Sequence, residues 1–241
     1  MDSSTHHSVS RKHVLYSEIL YVTSVMRKNS RWASSTQSLN TRDSALGSSL
    51  GLRISAPSQD PRVSGQGTRE ADLMAGFQEL KRTVRDLHGV SIILLCAQRL
   101  TCACTDIDTV PLSTLLAPFF AIIRSPLSTG PITSAALSSL HGFFVCGLIS
   151  PKSISLEQAL TELSSTVSHC KFEASDSSGD EVVLLKIMTV IQDCMCGYGV
   201  GDLLGDVEVC EMLETVLTTC CQMRLSGLFA LLASICLAQT S

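Results

Sequence analysis

The sequence predicts an all-α fold, a stack of antiparallel helices in an armadillo-like superhelical array with one disordered linker. Three observations carry this expectation. Hydrophobic residues make up 45% of the 241-residue chain and aromatics only 5%, a mixture that suits helix-on-helix packing. Apolar residues recur at three- and four-residue steps in seven stretches, and no run alternates convincingly as a half-buried strand would. Most of these stretches are joined by short loops, which favour antiparallel neighbours. No exact repeat period accompanies the pattern.

Residues 1–13 are polar and read as a disordered tail ahead of a helical domain spanning 14–226. The first helix is expected over 14–28. There Leu15, Ile19, Val22 and Met26 share a face, and Arg27, Lys28 and Arg31 supply the positive charge that a helix C-terminus favours. Residues 33–68 are rich in Ser, Gly, Gln, Asn and Pro without sustained periodicity, so they read as a flexible linker. A second helix, about 69–88, carries Leu73, Phe77, Leu80, Val84 and Leu87 on one face.

The third helix, about 111–124, has Pro111 in its first turn and Leu115, Leu116, Phe119 and Ile123 facing inward. Pro118 stands where it can kink or restart that helix. After the turn Ser128-Thr129-Gly130-Pro131, a fourth helix over 131–149 buries Leu137, Leu140, Phe144 and Leu148. Two capping boxes then announce helices. Ser155-Leu156-Glu157-Gln158 precedes Leu160, Leu163 and Val167, and Ser178-Gly179-Asp180-Glu181 precedes Val183, Ile187, Val190, Ile191 and Cys194. Asp206 is the expected cap of the last helix, with Val209, Met212, Leu213, Val216, Leu217 and Cys220 as its apolar stripe.

Composition also narrows function. A net charge of −4 offers no basic field for nucleic acid. The eleven cysteines sit mostly inside apolar runs, as do Cys146, Cys194, Cys210 and Cys220, where they read as small buried hydrophobes. The first 13 residues lack the apolar segment of a secretory signal. The longest apolar runs, Val90–Ala97 and Gly227–Ala238, fall short of the roughly 17–25 residues of a membrane span. A cytosolic, reduced protein is expected.

No chemistry is legible in the motifs. Gly197-Tyr198-Gly199-Val200-Gly201-Asp202 looks like a phosphate loop, but such a loop must follow a strand, and here it joins two helices. It reads as an interhelical turn with Gly197 ending a helix. The pairs Cys102/Cys104, Cys194/Cys196 and Cys220/Cys221 lack zinc-site spacing, and His141 and His169 stand alone. No nucleophile has a recognisable turn around it. No catalytic, cofactor-binding or metal-ligating residue is therefore assigned. The cluster Arg27-Lys28-Asn29-Ser30-Arg31-Trp32 reads as a helix end with Trp32 packed behind it.

Several stretches nevertheless carry a resemblance. Phe119-Phe120-Ala121-Ile122-Ile123-Arg124-Ser125, followed by Thr129-Gly130-Pro131-Ile132-Thr133 and Ala136-Leu137, resembles the N-terminal dimerisation and cyclophilin-binding domain of large Arf guanine-nucleotide exchange factors. The Golgi-specific brefeldin-A-resistance class is the class it resembles within that family. Arg27–Trp32, Asp180–Ile187, Val209–Met212 and Met223–Ser226 agree in the same order. The resemblance implies a cytoplasmic protein peripherally associated with Golgi membranes and acting in vesicle transport. Its implied partners are a second copy of itself, the following domain of the parent protein and, indirectly, small GTPases or the Golgi membrane surface. The family's exchange reaction belongs to a separate catalytic domain, and nothing here corresponds to it. A non-catalytic regulatory role follows, with Glu181, His141, Gly142 and Arg124 as candidate partner or dimer contacts. The bottom-up alternative is a generic helical-repeat scaffold unrelated to Arf.

Two stretches depart from the family pattern. Gly89–Thr105 is inserted where family members run almost directly from the second helix into the third. Gly227–Ser241 is an apolar tail where the family continues with a charged amphipathic helix. Neither contains an acidic residue, and both read as translated non-coding sequence. Interhelical loops tolerate insertion at low entropic cost. Deleting residues 89–105 should therefore raise the melting temperature or leave it unchanged, and a fall of several degrees would show the segment to be integral.

Overall fold

A computed structural model describes residues 4–29, 71–86, 107–170 and 177–221. The described residues form helices and turns, with no β-strand among them. The helices are α1 (Ser4–Lys28), α2 (71–86), α3 (Leu112–Arg124), α4 (Gly130–Val145), α5 (Leu156–Ser168), α6 (Ser177–Cys196) and α7 (Asp206–Cys221). The expected linker 33–68, insertion 89–105 and tail 227–241 lie outside the described residues, as do Arg31, Trp32 and Leu87.

The all-α stack is the observed architecture. One layer holds α1, α4 and α6, and the other holds α3, α5 and α7. α1 and α4 run antiparallel, with Asn29 bonded to Thr129 at one end and Glu18 to Ser139 further along. α3 and α5 run parallel: the Leu112 N–H donates to the Ile154 carbonyl, and Arg124 to the Glu162 carbonyl. α2 lies beside α1 and α3, with Lys81 over the Tyr16 ring of α1 and Phe77 against Phe119 of α3.

Packing centres on Phe119, which is fully buried. Its ring meets Phe77 of α2 and Phe143 of α4 edge-on, each at 5.1 Å between centroids. Edge-to-face contact is the favoured geometry, because the positive edge of one ring meets the negative face of the next. One side chain thus ties three helices. Around it the expected stripes are buried: Leu15, Ile19, Val22 and Met26 on α1, Leu160, Leu163 and Val167 on α5, and Val183, Ile187, Val190, Ile191 and Cys194 on α6.

The helix ends depart from expectation, each for a local reason. Residues 4–13, expected as part of a disordered tail, are helical, because a nucleated helix extends cooperatively through polar residues free of Gly and Pro. Pro111 precedes the helix rather than opening its first turn. Pro118 neither stops nor restarts α3, and it lies opposite Gly76 of α2. α4 ends at Val145, not 149, because Gly147 adopts a left-handed backbone with φ of 72°. The Leu148 and Gly147 N–H groups then donate to the Phe143 and Phe144 carbonyls in a Schellman-type stop.

The capping box at Ser155 does not form. Ser155 adopts a left-handed backbone, φ 58° and ψ 36°, and its side chain makes no cap hydrogen bond, whereas a capping residue needs an extended backbone. Ser178 falls inside the first turn of α6. Asp206 is the first residue of α7, and the Gly205 carbonyl receives the Val209 N–H. On α7 only Met212 and Val216 of the expected apolar stripe are buried; Val209 and Leu213 are partly buried, Leu217 is 53% exposed, and the Cys220 side chain lies outside the description.

This packing sets a contrast. Phe119→Ala should lower unfolding free energy by about 3–5 kcal/mol, while Leu217→Ala should change it by less than about 0.5 kcal/mol. Denaturant unfolding of both variants checks this, and similar losses would contradict the placement of Leu217.

Candidate interaction surface

α4 is enclosed on most sides, and its partly covered edge carries Ser134, Ser138, His141 and Gly142 beside exposed Val145. Neighbouring helices reach it with polar side chains. From α6, Lys186 donates to the Ser134 carbonyl at 3.2 Å and to the Ser138 hydroxyl. Seven residues further along α6, Asp193 lies 2.7 Å from His141 Nδ1. From α1, Glu18 accepts from Ser139 at 2.7 Å.

The electrostatics follow from burial. Asp193 is 8% exposed, and desolvation pushes its carboxyl above the usual range, opposed in part by the hydrogen bond and charge of His141. With Asp193 ionised, His141 must carry the hydrogen on Nδ1. Burial also lowers Lys186 from the ordinary ammonium range. These pairs register α4 against α6, which run parallel as Ser134 to Lys186 and His141 to Asp193 successively meet.

The structure separates the candidate contacts. His141 and Gly142 sit together near the C-terminal end of α4. A Cβ built at Gly142 meets nothing within 4 Å, so a longer side chain fits there. Glu181 lies in the first turns of α6, near Val183, whose methyl group approaches Gly130 at the start of α4. Gly130 and Gly142 are twelve residues apart on α4, about 18 Å of helix rise. Glu181 and Gly142 therefore do not meet within one copy. Arg124 belongs to the other layer, bonded to the Glu162 carbonyl at 3.0 Å and lying over the Phe120 ring.

Asp193, Lys186 and Ser138 were not among the sequence candidates. A signal was present: Lys186 and Asp193 are the only charged residues between Val182 and Tyr198, and His141 is the only ionisable one in α4. What pairs them is the parallel packing of helices two apart in the chain, which local spacing does not encode.

The remaining motifs resolve into structure. Gly197 receives its stop through an N–H bond to the Asp193 carbonyl, as expected of a helix end. Tyr198 and Gly199 take positive φ in the turn, and a side chain at Gly201 would collide with the Met195 carbonyl oxygen. Tyr198 stacks on Phe144 at 5.6 Å. Cys194 is buried, as expected, while Cys210 is exposed and Cys146 only half-buried, because α7 and the end of α4 turn those positions outward. Burial pushes the Cys170 thiol up to about 12, so it stays protonated at neutral pH. Among the described residues no three His, Cys, Asp or Glu side chains gather as a metal set, and no helix is long and apolar enough to cross a membrane.

No protein-family model matches the chain. An uncharacterized protein of Schizosaccharomyces pombe is 30% identical over 228 residues, covering 91% of this chain and 14% of the relative. ARF guanine-nucleotide exchange factor 1 of Saccharomyces cerevisiae is 28% identical over 166 residues, 69% of this chain and 10% of its own length. The Caenorhabditis elegans homolog of Golgi-specific brefeldin A-resistance guanine nucleotide exchange factor 1 is 37% identical over 103 residues, 42% of this chain and 5% of its own. The chain thus spans about a seventh or less of these relatives. These matches set aside the alternative of a helical scaffold unrelated to Arf. The chain is a homologue of the Arf guanine-nucleotide exchange factors, corresponding to a small all-helical part of them and consistent with their N-terminal dimerisation and cyclophilin-binding domain.

Proposed function

We propose that the chain is a non-catalytic, self-associating regulatory region of an Arf guanine-nucleotide exchange factor acting at Golgi membranes in vesicle transport. The observation that carries this reading is the homology to named exchange factors over a small fraction of their length, in a region built as a helical stack. The Golgi setting is supported by the name of the nematode relative. Its partners are a second copy, the domain that follows in longer relatives and, through that parent, a small GTPase. It works in the cytoplasm, held peripherally at the membrane.

The arrangement of the candidate contacts supports self-association. His141 and Gly142 lie near one end of the α4–α6 pair and Glu181 near the other. A two-fold axis between copies would lay the His141–Gly142 end of one against the Glu181 end of its partner, twice over. Closed two-fold interfaces are self-complementary in this way. Arg124, in the other layer, is left to contact the following domain.

Two measurements test the reading. The purified chain should release fluorescent nucleotide from loaded Arf no faster than the spontaneous rate, and clear acceleration would overturn the non-catalytic assignment. Gly142→Lys places a cation near Glu181 of the partner copy in that two-fold pairing. It should tighten self-association about two- to thirtyfold in sedimentation equilibrium, since the two symmetric rim pairs contribute about 0.2–1 kcal/mol each. Adding Glu181→Ala should remove the gain. Identical association constants for wild type and Gly142→Lys would end the two-fold proposal.

A further inference from the structure

The end of the stack where α4 and α6 finish concentrates exposed apolar side chains. Among the described residues nine large hydrophobic side chains are exposed, and five of them, Val145, Ile154, Tyr198, Leu203 and Val207, belong to this end. The parallel register of α4 and α6, set by His141 on Asp193, brings Val145 level with the turn that starts at Gly197. Tyr198 stacks on Phe144, the neighbour of Val145 in the chain, and is still 44% exposed. A Cβ at Gly199 would lie 3.8 Å from the Cγ of Pro151, three residues before Ile154, so the two turns touch. Leu203 and Val207 follow on the way into α7, where Val207 is 69% exposed. The segments 145–158 and 197–208 that build this end are described without a break.

Both turns hold a strained backbone. Ser155, with φ of 58°, and Tyr198, with φ of 57°, are the two non-glycine residues of positive φ among those described. A left-handed backbone is unfavourable to any residue with a Cβ and costs glycine little. Glycine flanks Tyr198 on both sides, so folding alone would favour glycine at 198 as well. The strained position instead sets a tyrosine ring on the surface, and strain of this kind clusters where proteins bind ligands. The charge there has one sign. Segments 145–158 and 197–208 contain Glu157, Asp202, Asp206 and Glu208 and one base, Lys152. Glu157, Asp202 and Asp206 are exposed. Glu157 and Asp206 also suit the first turns of α5 and α7, whereas Asp202 lies in the turn between α6 and α7.

We propose that this end docks a basic amphipathic helix of another protein, with its apolar stripe on Tyr198, Leu203 and Val207. Its Lys or Arg side chains would lie beside Asp202, Asp206 and Glu157. The partner is a helix because an extended segment needs a strand edge to satisfy its backbone, and no strand exists among the described residues. A helix bonds its own backbone and offers side chains, which is what these turns offer in return. The partner is basic because carboxylates outnumber cations around the apolar residues. The same carboxylates repel the anionic headgroups of a membrane surface. This contact is separate from the two-fold pairing at His141, Gly142 and Glu181 and stands without it.

Fluorescence anisotropy of a labelled synthetic helix, titrated with the full chain, tests this. The probe is a peptide of about five turns with Leu on one face and Lys on the other. Wild type should bind it, and should bind the same peptide with Glu in place of Lys at least about tenfold more weakly. Leu203→Ser/Val207→Ser and Asp202→Asn/Asp206→Asn should each weaken binding at least about tenfold, the second also removing most of its salt dependence. Leu217→Ser changes an aliphatic side chain that is equally exposed but lies near the other end of α7, and it should bind as wild type. Every substituted side chain is exposed, and circular dichroism should show all variants folded alike. The proposal is overturned if the Lys peptide does not bind, if both paired variants bind it like wild type, or if Leu217→Ser weakens it equally. Two other results would also overturn it, each giving the surface a different occupant. Without peptide binding, loss of phosphatidylcholine–phosphatidylserine vesicle binding in Leu203→Ser/Val207→Ser would assign the surface to a membrane. Loss of self-association in that variant would assign it to a second copy.

Discussion

α4 is enclosed by α1, α3 and α6, and the rest of the structure follows from what that enclosure requires. A central helix of this kind must present apolar or small side chains on nearly every side, and any polar group it buries must find a partner. Its sequence meets the first demand with Ile132, Ala135, Ala136, Leu137, Leu140, Phe143 and Phe144. Neighbouring helices meet the second for Ser139, Ser138 and His141, reached by Glu18 from α1 and by Lys186 and Asp193 from α6, while the buried Thr133 hydroxyl has no hydrogen-bond partner. Phe119 then locks the opposite layer onto it through Phe143. These contacts leave few ionisable side chains near α4, and those few serve to register one helix on another.

Among the described residues of a chain with eleven cysteines and six histidines, no three His, Cys, Asp or Glu side chains gather as a metal set. Polar side chains here are spent on alignment. His141 and Asp193 have the hydrogen-bond geometry of a catalytic dyad, yet Cys194 beside them is buried and protonated, and Tyr198 is stacked on Phe144. A surface made by such a stack offers shape, apolar edges and scattered charge, which is in keeping with the self-associating role proposed above.

The helix termini show how tertiary packing overrides local signals. Ser155 begins a sequence that favours a capping box, and it does not cap. A cap contributes about 1 kcal/mol, whereas the position of a helix on its neighbours decides several buried side chains of about 1.5–3 kcal/mol each. The stack therefore sets where α5 begins, and the turn before it is held instead by Ser153, which donates to the Leu148 carbonyl. Gly147 is the reverse case, a local signal that does act, since its left-handed backbone costs little without a Cβ.

The sequence by itself determined the class of the fold, the order of its helices and most of their buried stripes. Each of these depends only on three- and four-residue spacing along one helix, as at Leu15, Ile19, Val22 and Met26. It also carried the resemblance to the exchange factors, because that lies in ordered stretches such as Phe119–Ser125. Only the tertiary structure decided which faces of α7 stay open, leaving Cys210 and Leu217 exposed although their spacing equals that of buried positions. It alone paired His141 with Asp193 and separated Gly142 from Glu181. Those relations arise from helices meeting two places apart in the chain, and no local period records which helix will lie beside which, or where a stack is left uncovered.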